Sequence, residues 1–195
     1  METAWGASMG NAPDAIPSRL ARGEPADVLI MAAPALDRMI AEGKAVAGSR
    51  VDLARSAIAM AVRTGAPKPD IGSVEAFRRA LMAAQSIAFS ASASGTYLSE
   101  ELFPRLDPSG AIMAKSKKIM SERVGSVVAR GEAEVGFQQL SELLPIEGID
   151  IVGPLPAELQ RVTVFSAGLA ANAKEPEAAK ALIACLAAPT PRRRS

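Results

Sequence analysis

The sequence predicts an α/β fold, because short β-type runs alternate with helical runs along the chain. Most of the β-type runs are apolar throughout, as expected of strands that are covered on both faces. Hydrophobic residues make up 49% and charged residues 22% of the 195 residues, which is typical of a folded globular protein. A chain of this length buries about 70% of its unfolded surface, so one domain or two small lobes are expected.

Seven segments have the composition and length of strands. They are Glu2–Trp5, Val28–Met31, Ala57–Val62, Ser86–Phe89, Val135–Gln138, Ile149–Val152 and Arg161–Ser166.

Helix signals lie between these strands. Pro34–Glu42 carries its apolar residues on one helical face and ends at Gly43. Ser73 is placed to cap a second helix, and Pro176 opens the last one. The alternation therefore extends over most of the chain.

Two features suggest a division into lobes. Gly and Pro residues break regular structure in Arg63–Asp70, where a second lobe could begin. Two helix-to-strand connections share the order helix end, glycine, acidic turn and buried strand, and they are Ala21–Val28 and Ala129–Val135. Two similar α/β lobes would explain this repeat, and so would the common need for a left-handed glycine at such joints. The tail Pro189–Ser195 is predicted to be frayed.

The composition excludes several functional classes. The chain has no histidine, which rules out histidine-dependent catalysis and histidine-ligated zinc, and its single cysteine, Cys185, cannot form an internal disulfide. Its 22 basic and 21 acidic residues nearly cancel, so no nucleic-acid partner is expected. The longest nearly apolar run, Val28–Leu36, is too short for a membrane span, and no secretory signal is recognised at Met1–Gly6.

Three polar turns could bind an anion. Ser90–Tyr97 follows a buried strand and leads into a helix, and Gly6–Asn11 repeats this order. A helix N-terminus offers unpaired backbone N–H groups to an oxyanion, although such serines also serve simply as caps. Gln138 and Gln139 end a further strand and point to opposite faces, and Gln139 is favoured as the ligand-facing residue.

No catalytic, metal or cofactor site is predicted. Carboxylates at Asp27, Asp37, Glu132 and Glu134 lie at joints or on helix surfaces, where solvated carboxylates are normal. The glycine spacing matches neither a P-loop nor a dinucleotide fingerprint.

Five segments together resemble the periplasmic molybdate-binding proteins and their relatives, the type II solute receptors of ABC transporters. The resemblance extends over about residues 2–188. The segments that carry it are Trp5–Ser8, Arg19–Val28, Ser92–Tyr97, Gly131–Phe137 and Val162–Gly168.

The resemblance implies two α/β lobes with a ligand cleft between them, lobe 1 from residues 1–58 plus 160–188 and lobe 2 from 59–159. It also implies a ligand site. By position in the family motifs, the ligand-binding residues would be Ser8, Ser94, Gly95, Val124 and Gln139.

Two departures from the family pattern bear on function. Gln139 stands where molybdate binders place a tyrosine, and an amide that also accepts hydrogen bonds suits a ligand with its own hydroxyl or protonated carboxyl. The family's first strand and first helix are missing from the chain as written, which would leave a sheet edge unpaired.

The expected function is reversible binding of a small oxyanion or carboxylate by a monomer, for delivery to the membrane subunits of an ABC transporter. The alternatives are a carboxylate isomerase resembling aconitate isomerases, or an inactive truncated remnant. A periplasmic location follows from the resemblance, and a cytoplasmic one from the chain expressed as written.

Overall fold

A computed structural model describes residues 1–188, and the predicted tail at 189–195 lies outside the described residues. Two compact units divide the chain. Unit 1 comprises Met1–Arg55 and the segment from Val164 onward, and unit 2 is Ser56–Thr163. These bounds lie a few residues from those of the lobes expected at 1–58 plus 160–188 and 59–159.

Eight strands within residues 1–188 form two sheets. They are β1 (Val28–Ala32), β2 (Val51–Ser56), β3 (Ile58–Arg63), β4 (Ile87–Ser90), β5 (Ser116–Ile119), β6 (Val135–Gln139), β7 (Ile149–Pro154) and β8 (Thr163–Leu169).

In the described part of the chain, nine α-helical segments accompany them. They are α1 (Ile16–Ala21), α2 (Ala33–Ala41), α3 (Val74–Ala83), α4 (Ala93–Thr96), α5 (Phe103–Leu106), α6 (Ala111–Ala114), α7 (Val124–Ala129), α8 (Leu140–Leu143) and α9 (Pro176–Ala187). A π-helical segment, Tyr97–Leu102, joins α4 to α5, and Ala157–Leu159 forms a 3₁₀ turn.

Unit 1 is built on a three-stranded sheet with the order β1-β8-β2, in which β1 and β8 are antiparallel. Alternation along β1 turns Leu29 and Met31 inward and leaves Ile30 exposed. Helix α2 adds Leu36 and Met39 to this core.

Unit 2 is built on a five-stranded sheet with the order β5-β4-β6-β3-β7. Strand β4 runs parallel to β5 and β6, whereas β3 is antiparallel to β6 and β7. On one face Phe137 packs edge-to-face against Phe77 and Phe103, with ring centroids 5.9 and 6.0 Å apart. On the other face, Val124 and Val128 of α7 pack with Ala88 of β4.

The helix predictions are confirmed at Pro34, Ser73 and Pro176, where α2, α3 and α9 begin within a residue of the predicted starts. Ser73 caps α3 as expected, since its Oγ accepts a hydrogen bond of 3.1 Å from the backbone N–H of Ala76.

The prediction of a strand at Glu2–Trp5 is wrong. This segment has no regular structure, and Trp5 is 76% exposed. A strand needs a hydrogen-bonded neighbour, and in the part of unit 1 that the structure describes the sheet consists of β1, β8 and β2.

Two strands, β2 and β5, were not predicted. Most residues of β2 are exposed, and β5 reads Ser-Lys-Lys-Ile, so neither has the apolar run of a buried strand. Pairing with a neighbour, rather than hydrophobic pattern, makes these segments strands.

Candidate anion-binding site

The candidate site lies in unit 2, at the edge where the parallel strands β4 and β6 end. Phe89 of β4 is in register with Phe137 of β6, so the residues that follow them emerge at the same edge. Ser90 leads into α4, and Gln138 and Gln139 end β6. The carboxyl ends of α/β strands are the usual place for a ligand.

Three serine hydroxyls form a closed cluster there. The Oγ atom of Ser90 lies 2.7 Å from that of Ser92 and 3.2 Å from that of Ser94, and the last two are 3.1 Å apart. Ser90 and Ser94 are buried, whereas Ser92 is half-buried. Each hydroxyl can rotate to donate or accept, so the cluster can turn its protons toward an anion.

Gly95 allows the helix to approach the strand end. A Cβ atom at this position would lie 1.6 Å from the carbonyl oxygen of Ser90 and 3.0 Å from the Phe89 ring. No side chain fits that space. Gly95 therefore positions the serine cluster through its backbone and contributes no side chain to a ligand.

The helical stretch behind the serines is anchored by Tyr97. Its hydroxyl donates a hydrogen bond of 2.8 Å to the carbonyl of Leu159. The guanidinium of Arg161 stacks 4.1 Å from the centre of the Tyr97 ring and binds both carboxylate oxygens of Glu101. These contacts fix the π-helical segment; π-helical turns often occur at functional sites.

Gln138 faces α7. Gly136, two residues earlier on the same face, has no room for a Cβ beside the Val124 and Val128 side chains. The Oε1 atom of Gln138 accepts a hydrogen bond of 2.9 Å from the backbone N–H of Val124. The Val124 amide, predicted to bind the ligand, thus has an internal partner.

Gln139 faces the opposite side of the sheet, with Phe137 and the helical stretch that begins at α4. It is only 2% exposed. Its Nε2 donates a hydrogen bond of 2.6 Å to Oγ1 of Thr163, while Oε1 is buried and has no partner among the described residues.

Glu142 is a partly buried carboxylate three residues after Gln139. Burial raises the pKa of its carboxyl, against the opposing effect of hydrogen bonds from the Gln138 side chain and the Gln139 backbone and of the charge of Arg123. Its Oε2 atom is also buried without a partner in the described part of the chain. As the third residue of α8, Glu142 is placed to reach back to the preceding backbone N–H.

Ser8 lies in unit 1, where its Oγ accepts a hydrogen bond of 3.0 Å from the backbone N–H of Ala32. This bond ties the irregular N-terminal segment to the end of β1. The hydroxyl proton remains available for another acceptor.

The four carboxylates that the sequence places at joints or on helix surfaces make hydrogen bonds or ion pairs. Asp27 accepts hydrogen bonds from the backbone N–H groups of Lys174 and Glu175, just before α9. Ion pairs link Asp37 with Arg50 and Glu132 with Arg130, and Glu134 accepts from the backbone of Gln85.

Sequence reasoning missed Thr163 and Glu142. Thr163 is 24 positions from Gln139, and no sequence pattern links the two. Glu142 carried a usable signal, because a carboxylate at the third position of a helix commonly reaches back to the helix start.

In residues 1–188 no three His, Cys, Asp or Glu side chains are grouped to hold a metal ion, and no helix has the length and apolar character of a membrane span. A groove of about 470 Å³ in unit 2, lined by residues 68–72 and 152–156, contains none of the predicted site residues.

Residues 7–194 match the family model described as bacterial extracellular solute-binding protein. An aconitate isomerase of a Pseudomonas species is 54% identical over 187 residues, which are 96% of this chain and 71% of that protein.

Solved structures share the fold. The periplasmic molybdate-binding protein of Azotobacter vinelandii superposes with a TM-score of 0.65 at 20% identity, over 88% of this chain and 76% of that one. The substrate-binding domain of a molybdenum ABC transporter protein from Clostridium difficile gives 0.60 at 18% identity, over 96% and 79%. With its α/β sheets, its serine-bearing strand ends and this family match, the chain belongs to the bacterial extracellular solute-binding proteins.

Proposed function

We propose that this protein binds a small oxyanion or organic carboxylate reversibly and presents it to the membrane subunits of an ABC transporter in the periplasm. The observation that carries the proposal is the cluster of Ser90, Ser92 and Ser94 hydroxyls at the ends of parallel strands.

Neutral donors suit reversible binding. The segments Ser90–Thr96 and Val135–Leu143 contain no Lys or Arg, so an anion there would be bound by hydroxyl and backbone N–H groups. The first N–H groups of the helical stretch from α4 have no partner within the helix. Such donors hold an anion by geometry rather than by net charge, which favours selection by shape and protonation state.

The test is a thermal-shift screen with molybdate, tungstate, sulfate, phosphate and a series of di- and tricarboxylates, followed by calorimetric titration of every compound that raises the melting temperature. Binding by at least one anion, weakened at least fivefold in Ser94→Ala, is expected. Failure of all the anions to bind would contradict the proposal.

A second candidate function is isomerisation of a tricarboxylate. The relative that is 54% identical favours it, since that protein is named aconitate isomerase. Such a reaction would need a group that takes a proton from one carbon of the substrate and returns a proton to another. Incubation with cis-aconitate or trans-aconitate and analysis by proton NMR distinguishes the two functions, because a pure receptor leaves each isomer unchanged.

A further inference from the structure

The carbonyl of Gln139 is a buried acceptor that no donor reaches among the described residues. The other half of the same amide is engaged, because Nε2 donates to Thr163 Oγ1 over 2.6 Å. In this arrangement Thr163 holds the NH₂ end of the amide, and the carbonyl is the end that remains open.

The carbonyl end and the NH₂ end of this amide would pair with chemically different ligands. An unpaired carbonyl needs a donor, such as an alcohol or a protonated carboxyl, whereas an unpaired NH₂ group needs an acceptor such as an ionised oxyanion. A buried polar group without a partner is costly, so the ligand that supplies the missing partner gains affinity over one that does not.

Gln139 and the serine cluster lie at the same sheet edge. Strand β6, which Gln139 ends, is the parallel neighbour of β4, which Ser90 ends. Helix α4, which carries Ser94, packs beside both strands. Hydroxyl donors and a carbonyl acceptor are thus offered by adjacent strand ends.

Resting on the proposed function, we infer that the site selects carboxylates that carry an O–H donor and that Gln139 Oε1 is the selecting atom. The serine hydroxyls and backbone N–H groups bind the carboxylate, and the Gln139 carbonyl accepts the ligand's proton-bearing group. A fully ionised tetrahedral oxyanion offers no such donor and is disfavoured.

Calorimetric titration with two matched pairs of compounds tests this inference. Citrate and tricarballylate differ in one hydroxyl, as do malate and succinate. At pH 7.5, the protein should bind the hydroxyl-bearing member of at least one pair about tenfold or more tightly. Gln139→Met, which keeps the length of the side chain but has no carbonyl, should abolish that preference and keep the affinity for the member without the hydroxyl.

Thr163→Val provides a second variant that does not touch the amide itself. Without Oγ1 the NH₂ end of the Gln139 amide loses its partner and either end can be presented to a ligand, so the preference should fall while the melting temperature stays near that of the unmodified protein. Ser99→Ala, whose hydroxyl donates to the backbone carbonyls of Gly95 and Thr96, is the matched control and should keep the preference.

A titration at pH 5 separates the two kinds of O–H donor. Selection of a protonated carboxyl would raise the affinity for tricarballylate and succinate as the pH falls, whereas selection of an alcohol would keep the preference for citrate or malate at both pH values. Equal affinity within both pairs at both pH values with no rise as the pH falls, or binding of molybdate alone, would overturn the inference and leave the proposed function standing. Absence of binding by any anion would overturn both.

Discussion

The backbone N–H of Val124 donates a hydrogen bond of 2.9 Å to Oε1 of Gln138, which joins the first turn of α7 to the end of β6. Both residues are buried. A ligand could use the Val124 amide only after Gln138 turned aside. The bond thus assigns Gln138 a structural role and leaves Gln139 as the glutamine with an open polar atom.

Replacing Gln138 with methionine should destabilise the protein by about 1–3 kcal/mol, because the buried Val124 N–H would lose its acceptor. Urea unfolding measures the change. Gln85→Met, at an exposed position away from the bond between Gln138 and Val124, is the control and should have little effect on stability. A Gln138→Met variant as stable as the control would show that this hydrogen bond contributes nothing to the stability of the folded protein.

Replacing Ser94 with alanine should weaken anion binding by about 1–3 kcal/mol, since the ligand and the hydroxyls of Ser90 and Ser92 would lose a shared partner. Calorimetry with the best anion from the screen measures the loss. Ser99→Ala, one turn further along the helical stretch, should bind normally. If both variants bound equally well, the serine cluster would not be the binding site.

Gly95→Ala should destabilise the protein by about 3 kcal/mol or more, because its Cβ would overlap the Ser90 carbonyl and overpacking against backbone is hard to relieve. Thermal unfolding measures the effect. Gly72→Ala is the matched control, since its Cβ would lie 3.3 Å from one Asp70 carboxylate oxygen in an exposed turn. A melting temperature similar to that of the control would mean that the Ser90–Gly95 contact is not as close as described.

Glu142→Gln should change the pH dependence of stability. Burial raises the pKa of Glu142 in the folded protein above its unfolded value of 4.5, so its contribution is fully present below that pH and is lost as the pH rises through the folded pKa. The variant should therefore gain stability over the unmodified protein progressively as the pH rises above 4.5.

Urea unfolding at a series of pH values checks this prediction for Glu142. Glu158→Gln, at an exposed position in the same unit, serves as the control and should parallel the unmodified protein. A constant difference between Glu142→Gln and the unmodified protein over the whole range would contradict the burial of this carboxyl.

Asp27→Ala should destabilise unit 1 by about 1 kcal/mol, because the backbone N–H groups of Lys174 and Glu175 ahead of α9 lose their acceptor. Asp27→Asn keeps an oxygen acceptor and should recover most of that stability. Circular dichroism during thermal unfolding distinguishes the two. Anion affinity should stay the same in both variants, and a loss of affinity would indicate a role in binding.

The sequence by itself determined the α/β class, the three helix starts at Pro34, Ser73 and Pro176, and the placement of serines and glutamines after buried strands. These features depend on local signals: apolar runs, caps and the alternation of side chains along a strand. The alternation of side chains along a strand also predicted that Gln138 and Gln139 face opposite sides of the sheet.

Only the tertiary structure decided which polar atoms have partners. The bonds of Gln138 with Val124 and of Gln139 with Thr163 join residues 14 and 24 positions apart, and no local pattern encodes such pairings. The same holds for strands. Glu2–Trp5 has a strand-like composition without a neighbour to pair with, whereas the polar β5 is a strand because β4 lies beside it. A strand is completed by a neighbouring strand's hydrogen bonds, so its existence depends on the fold as well as on its own residues.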